Sequence, residues 1–258
     1  MEAIITAGGK PTPKEKLYAL TRGEYKCMLD VAGKPMIQWV LDAVNNTPIV
    51  DRIIIVGLPH PIAVQSRLPI TYLPDNGSLM RNAYAGAQEI LRLNPTCTHA
   101  LYLCSDIPAI TPEMLTWMAN KIQETNDELY YIAIERSVME KRFPGSRRTF
   151  IKLKGAEVCG GDVFGIRPDA AQLDNPLWRG IVESRKNPFK QASMVGFDTL
   201  WALLRRKYTI DEAAVIVSKR LGFLGRVLLS PYAEMGMDVD KPHQWYTMHL
   251  DLGDKPTA

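Results

Sequence analysis

The chain opens on a strand-like run that leads directly into a glycine turn. Residues 3–6 are apolar or β-branched, and Ala7-Gly8-Gly9-Lys10 follows them without a break. After a basic loop the chain returns through Lys26 and enters a helix at Pro35, where proline is tolerated in the first turn. A strand followed by glycines, a lysine and a helix presents backbone N–H groups that can hold phosphate. This stretch therefore predicts a phosphate-binding edge on an α/β fold.

Apolar runs typical of buried strands alternate with segments whose apolar residues recur at helical spacing. The predicted strands are 1–6, 53–56, 70–73, 100–104 and 129–134, and the predicted helices begin at Pro35, Ser78 and Thr111, the last with Thr111 as N-cap. The order β-α-β-β-α-β-α-β predicts a three-layer α/β/α Rossmann-like fold around a mostly parallel sheet. In such sheets ligands bind at the carboxyl ends of the strands.

After residue 148 the pattern changes. Residues 149–154 and 157–166 predict two paired strands around Gly155, and 226–229 predicts one more. A helix is predicted after Pro242. These elements extend the sheet rather than start a second fold.

The stretch between those strands is mostly helical in its pattern. An amphipathic segment covers 197–206, and a capped helix is predicted near Thr209. No linker or repeat separates this stretch from the rest. We therefore predict one domain over 1–252 with a helical insertion at about 169–225, followed by a disordered tail at 253–258.

Charge and cysteine content exclude several classes of function. The formal net charge of +3 is too small for a nucleic-acid-binding surface. Two locally basic loops, 10–26 and 136–152, suit phosphate-bearing small ligands, although solvated loops show the same pattern. The four cysteines form no CxxC pair, so a zinc site is not expected. Without a signal peptide or an apolar run of about 18 residues, we expect a reduced, cytoplasmic protein with no membrane partner.

Five stretches together resemble the nucleotidyltransferase branch of the GT-A, or nucleotide-diphospho-sugar transferase, fold. They are Ile5 to Lys10, Lys26 to Leu29 with Ala32 to Val40, Gly77-Ser78, Ser105-Asp106-Ile107-Pro108 and Asp238-Val239-Asp240-Lys241-Pro242. The branch includes sugar-phosphate uridylyltransferases, cytidylyltransferases of isoprenoid precursors and the MobA-like molybdenum-cofactor guanylyl- and cytidylyltransferases. The resemblance covers roughly 1–166 and 226–250. Residues 11–25 depart from it, because they replace a much shorter Gly-Thr-Arg-Met loop.

The resemblance implies transfer of a nucleoside monophosphate from an NTP to a phosphorylated small-molecule acceptor, with release of pyrophosphate. Such chemistry needs cations that hold the triphosphate and carboxylates that hold Mg²⁺, with Mn²⁺ as a substitute. A sugar phosphate, a phosphorylated polyol and a pterin cofactor all remain open as acceptors.

The resemblance also assigns candidate site residues. The predicted catalytic cations are Lys26, Lys10 and Arg22. The predicted nucleotide-binding residues are Ala7, Gly8, Gly9, Asn76, Gly77, Ser78 and Ser105. The predicted acceptor-binding residues are Gly161, Asp162, Arg147 and Arg148. The predicted metal ligands are Asp106, Asp240 and Asp238.

The three acids assigned as metal ligands can also be interpreted from their positions in the sequence. Asp106 follows a buried strand at the ligand-binding edge, where an unpaired carboxylate is costly. Asp238 and Asp240 are two residues apart, so in an extended segment both side chains point to one face and both can approach one cation. Helix capping is the alternative for each of the three acids.

Two other functions fit the same fold. A glycosyltransferase using a nucleotide-sugar usually carries Asp-x-Asp after the middle strand, where this chain has Ser105-Asp106-Ile107-Pro108. A nucleotide-sensing domain without turnover would lack the metal acids or the phosphate lysines, and both sets are present here. The sequence therefore favours a nucleotidyltransferase.

Overall fold

A computed structural model describes residues 1–60, 62–171, 207–222 and 224–253. The predicted amphipathic segment 197–206, most of the predicted insertion 169–225 and the tail after residue 253 lie outside the described residues. None of the helices in the described ranges has the length and apolarity needed to cross a bilayer.

Most of the described strands belong to one twisted sheet. The strands are β1 Glu2–Thr6, β2 Asp30–Val31, β3 Lys34–Pro35, β4 Arg52–Val56, β5 Ile70–Leu73, β6 Ala100–Cys104, β7 Leu129–Glu135, β8 Ile151–Leu153, β9 Ala156–Ile166 and β10 Gly225–Leu229. Eight of them form the order β10-β7-β9-β6-β1-β4-β5, with β8 paired to β9. Of these eight described strands, only β9 runs antiparallel to its neighbours. The predicted mostly parallel sheet is confirmed.

The described helices are α1 Tyr18–Thr21, α2 Met36–Asn45, α3 Leu79–Leu93, α4 Pro112–Gln123, α5 Arg136–Arg142, α6 Ile210–Leu221 and α7 Pro242–Gly253. Helix α5 covers 136–142 of the stretch predicted as a basic loop, so that part of the prediction was wrong, whereas 143–150 has neither helix nor strand. Gly253, expected in the disordered tail, is the last residue of α7.

Alternate residues of the central strands pack against opposite layers of helices. Ile5 and Leu101 are fully buried in the core shared with α2 and α4. Ile4 and Tyr102 are buried in a second core shared with α3. Strands buried on both faces read as continuous apolar runs, which explains why the sequence predicted the three-layer architecture correctly.

Side-chain caps begin two of the described helices, α3 and α6. Ser78 caps α3, because its Oγ accepts a hydrogen bond from Arg81 N at 3.2 Å. Thr209 and Glu212 form a reciprocal capping box on α6. Thr111 precedes α4 as predicted, but its side chain makes no capping hydrogen bond. The position of a cap was therefore predicted, and its hydrogen bond was not.

Gly57 ends β4 in a conformation that other residues rarely adopt. Its φ is +99°, and a Cβ there would lie 2.5 Å from the Cα of Gly8. This close approach brings the end of β4 against the glycine turn after β1. The backbone of Gly57 thereby packs directly against the backbone of that turn.

We expect Gly57→Ala to lower the free energy of unfolding by about 3 kcal/mol, because left-handed strain and overpacking add together. Gly155→Ala is the matched control, since Gly155 has φ +80° but a Cβ added there would meet no described atom within 4 Å beyond its chain neighbours. It should cost only about 1 kcal/mol. Urea unfolding of both variants measures the difference, and equal losses would contradict the role of the Gly8 contact.

Candidate active site

A cavity of about 470 Å³ opens at the carboxyl edge of the sheet. The parallel strands β1, β4, β5 and β6 all end at this edge, so the segments that follow them converge. The lining residues are Thr6, Ala7, Gly8, Gly9, Lys10, Glu15, Lys26, Cys27, Asp75, Gly77, Ser78, Leu79, Asn82, Cys104, Ser105 and Asp106. Most of the predicted nucleotide-binding residues therefore share one cavity.

The long loop 10–25 closes on itself at the glycine turn. Lys26 N donates to Gly9 O at 2.8 Å, and the Cys27 thiol donates to Ala7 O at 3.3 Å. These bonds return the chain to the place where the loop began. Lys26 is thereby delivered to the glycine turn although 16 positions separate it from Lys10.

The Lys26 ammonium joins two acids from distant parts of the chain. It donates to Asp106 Oδ2 at 2.6 Å and also to Asp240 Oδ1. Burial opposes the charge of Lys26, but the two carboxylates outweigh burial and raise its pKa. The backbone adds a further link, because Val239 N donates to Asp106 O at 2.9 Å. The end of β6 and the segment before α7 thus meet around one cation.

Asp106 retains a carboxylate oxygen with no partner among the described residues. Its Oδ1 is buried and accepts no hydrogen bond there. Carboxylate oxygens are the ligands that Mg²⁺ prefers, and Mg²⁺ commonly takes only one or two of them from a protein. No cluster of three or more His, Cys, Asp or Glu side chains placed for a metal occurs in the described ranges. Asp106 and Asp240 therefore fit a Mg²⁺ that is completed by substrate and water.

Asp238 does not join Asp240 at Lys26 in the structure, and its assignment as a metal ligand stays a prediction. Its carboxylate pairs with Arg148, and that guanidinium also lies 3.8 Å from Asp162. Residues 237–240 lie outside regular strands, so the two side chains are not held on one face as they would be on a strand. Arg148 thus holds a second pair of acids beside the first.

Asp162 lies opposite the end of β6, because Val163 pairs with Leu103 across the sheet. Burial and the nearby Asp106 raise the pKa of Asp162 from 3.8 to about 7, and Arg148 only partly offsets them. A carboxyl whose pKa is raised by folding stabilises the fold at pH values below the pKa that the same carboxyl has in the unfolded chain. That contribution is lost as the pH rises toward 7.

We therefore expect Asp162→Asn to gain stability over the wild type as the pH rises from about 4 to 8. The gain should not exceed about 4 kcal/mol, the limit set by the pKa change. Urea unfolding at several pH values without divalent metal measures it. A stability difference that is independent of pH would contradict the assignment of a perturbed carboxyl to Asp162.

A hydrogen-bonded turn forms the wall of the cavity after β5. Asn82 on α3 donates to Asp75 Oδ1 at 2.8 Å and accepts from Asn76 N at 2.7 Å. Gly77 N also donates to Asp75 Oδ1, at 3.1 Å. Asn76 therefore supports the turn but is not among the residues that line the cavity, whereas Gly77 and Ser78 are.

Four other predicted residues lie away from the cavity floor. Lys10 is exposed at the mouth, with its ammonium 4.2 Å from the ring centre of Tyr25. Arg22 is exposed and closes α1 with φ +52°, so the structure does not bring it to the site. Arg147 is exposed as well. Gly161 is buried, and a Cβ there would lie 2.7 Å from Ile132 Cγ2, so the glycine permits close core packing, and its contact with the acceptor stays a prediction.

The cations of the second basic stretch are engaged by acids. Arg136 pairs with Glu157 at 2.6 Å. Arg142 pairs with Glu234 at 2.6 Å and with Asp251 at 2.7 Å. These pairs tie α5 to β9, to the short turn 233–236 and to α7. Arg136 and Arg142 are therefore structural cations rather than a phosphate clamp.

Several residues of the site were not predicted from the sequence. Asp75 and Asn82 organise the turn after β5, Gly57 supports Gly8, Glu15 lines the cavity, and Gln244 contacts both Asp238 and Asp240. Asn82 offered one signal, because it is a polar residue on the inward face of an apolar helix. The approach of Gly57 to Gly8 joins segments that are far apart in sequence, whereas Gln244 lies only four and six residues from its two partners.

Comparison with known proteins agrees with this fold. The family model of the MobA-like NTP transferase domain matches residues 3–168. A hypothetical transferase from Thermus thermophilus superposes with a TM-score of 0.79 at 28% identity, covering 95% of this chain and 98% of that one. No curated protein matches the sequence.

Two more distant structures share the fold. A CMP:2-keto-3-deoxy-manno-octonic acid synthetase complexed with CTP has a TM-score of 0.57 at 13% identity, with 97% of each chain covered. A 4-diphosphocytidyl-2C-methyl-D-erythritol synthase from Anaerococcus prevotii has a TM-score of 0.56 at 14% identity, covering 97% of this chain and 95% of that one.

Proposed function

Because the chain belongs to the MobA-like NTP transferase domain family and is a nucleotidyltransferase, we propose that it transfers a nucleoside monophosphate from an NTP to a phosphorylated small-molecule acceptor in a Mg²⁺-dependent reaction. The observation that carries this proposal is the position of Lys26 between Asp106 and Asp240 at the glycine cavity. A cation beside two carboxylates supplies the opposite charges that a triphosphate and its metal require.

The cavity has room for a nucleotide and a wall suited to each part of it. Its volume of about 470 Å³ is in the range of small-molecule sites. In the proposed complex the backbone of Ala7, Gly8 and Gly9 approaches the phosphates. Gly77, Ser78 and Ser105 line the part that would hold the nucleoside.

The proposed reaction is a single in-line displacement. An acceptor phosphate oxygen forms a bond to the α-phosphorus, while the bond from that phosphorus to the oxygen bridging it to the β-phosphate breaks. Pyrophosphate leaves with that oxygen. The acceptor phosphate is already ionised at neutral pH, so no side chain has to act as a base. Position and charge neutralisation are then the main contributions of the protein.

The side chains divide this work. Lys26 places a buried positive charge beside the phosphates, and Lys10 adds a mobile one at the mouth of the cavity. Asp162 and Arg148 lie beyond Asp106 and form the wall proposed for the acceptor. Asp106 and Asp240 would hold Mg²⁺, which when bound neutralises phosphate charge and orients the α-phosphoryl group.

The charge balance supports the need for a metal. Two cations, Lys26 and Arg148, face four carboxylates, those of Asp106, Asp162, Asp238 and Asp240. A triphosphate would add further negative charge to this cluster. A divalent cation removes that repulsion, since unpaired buried charge is strongly unfavourable.

Pyrophosphate release across the four NTPs and a panel of sugar phosphates and phosphorylated polyols, with Mg²⁺ or Mn²⁺, tests the proposal. CTP is included because one structural neighbour was solved with it. We expect release that requires an NTP, an acceptor and a divalent cation together. NTP binding in thermal shift without pyrophosphate from any pair would overturn the proposal and favour a nucleotide-sensing protein.

A further inference from the structure

One buried amide contacts both acids of the segment before α7. Gln244 lies in the first turn of α7 and is only 2% exposed. Its Oε1 accepts a hydrogen bond from Asp240 N at 3.0 Å, and its Nε2 donates to Asp238 Oδ1 at 3.4 Å. Both ends of the side chain are therefore used by residues that face the site.

The two acids belong to different ion pairs. Asp240 reaches Lys26, and Asp238 reaches Arg148. The segment 237–240 that carries them has no regular secondary structure of its own. Among the described residues, its other anchors include the buried side chains of Met237 and Val239 and the hydrogen bonds from Val239 N to Asp106 O and from Met237 N to Glu234 O. Gln244 is thus the side chain that fixes the spacing between the two ion pairs.

We propose that Gln244 is a positioning residue for nucleotidyl transfer, which holds the Asp240 backbone toward Lys26 and the Asp238 carboxylate toward Arg148 at the same time. This inference rests on the proposed function. A neutral amide suits the role, because it accepts from an N–H at one end and donates to a carboxylate at the other. Glutamate would keep the acceptor but place a fifth carboxylate beside Asp238. Methionine would leave Asp240 N without this acceptor and would leave the Asp238 carboxylate to Arg148 alone.

The test compares Gln244→Met with Gln38→Met. Gln38 is a matched control, since its amide also bonds in two directions, to Asp42 and to the backbone of Gln65, but on α2 away from the cavity. Partners that orient metal ligands typically contribute 10- to 100-fold to activity or metal affinity. We expect Gln244→Met to lower kcat by about 10-fold or more and to raise the half-saturating Mg²⁺ concentration. Gln38→Met should change neither.

Mn²⁺ binding in the presence of NTP, followed by electron paramagnetic resonance, gives a readout that does not depend on turnover. Weaker Mn²⁺ binding by Gln244→Met than by Gln38→Met supports the inference, and equal binding overturns it. If Gln244→Met does not fold, Gln244→Glu replaces it with nearly unchanged volume and the same expectation. A wild-type protein that binds Mn²⁺ and NTP but releases no pyrophosphate overturns the proposed function instead.

Discussion

Replacing Asp106 with asparagine is expected to reduce turnover roughly 10³-fold, the largest loss of any single change at this site. Asp106 supplies one oxygen to Lys26 and keeps a second, buried oxygen free of partners among the described residues. Asparagine has nearly the same volume but no negative charge, so it can neither hold a divalent cation strongly nor balance Lys26. The loss should appear in kcat at saturating NTP and Mg²⁺.

Asp42→Asn is the control for Asp106→Asn. Asp42 also accepts from a lysine, Lys34, at 2.9 Å, but the pair lies on the surface of α2. Exposed ion pairs contribute little to stability, so this variant should keep its activity and melt within a few degrees of the wild type. Turnover by Asp106→Asn at a near-wild-type rate would exclude Asp106 as a metal ligand.

Lys26→Met should be the second most damaging change, with a loss of roughly 10²- to 10³-fold in kcat/KM. The substitution keeps the aliphatic part of the side chain and removes the charge between Asp106 and Asp240. The two carboxylates would then repel each other and the phosphates. NTP binding should weaken together with turnover, because Lys26 is proposed to contact the ground-state phosphates as well as the developing charge.

Two further variants sharpen this expectation. Lys34→Met removes the lysine of the control pair and should leave kcat/KM unchanged. Lys26→Arg keeps the charge but should not restore activity, since a planar guanidinium cannot take the place of a compact ammonium between two acids. A variant Lys26→Met with wild-type kcat/KM would remove the observation on which the proposed function depends.

Local order in this protein follows from local sequence. Apolar runs such as 53–56 predicted buried strands, and helical spacing predicted α2 and α3 close to their observed bounds. The exception is α5, whose residues were predicted as part of a basic loop because many of them are charged. Those charges are matched by partners on β9, on the turn 233–236 and on α7, which no local rule can identify.

The candidate site likewise combines residues that were predicted from the sequence with contacts that only the folded structure shows. Gly8 and Asp106 were predicted because each follows a strand at one edge of a parallel sheet, and Lys26 was predicted from the resemblance; the structure brings all three to one cavity. The separation of Asp238 from Asp240 was not predicted. It depends on Arg148, which the β9 side of the sheet places between Asp238 and Asp162.

The sequence by itself determined the layers, the mostly parallel sheet and the edge of the sheet that carries the candidate site, because these depend on the periodicity of apolar residues and on chain order. Tertiary structure alone decided which charge meets which. Lys26 meets Asp240 across 214 positions of sequence, and this contact exists only in the folded chain, whereas Gln244 bonds to Asp238 and Asp240 locally at the start of α7. Ion pairs and buried amides have no sequence period, since their partners are selected by contact in the folded chain.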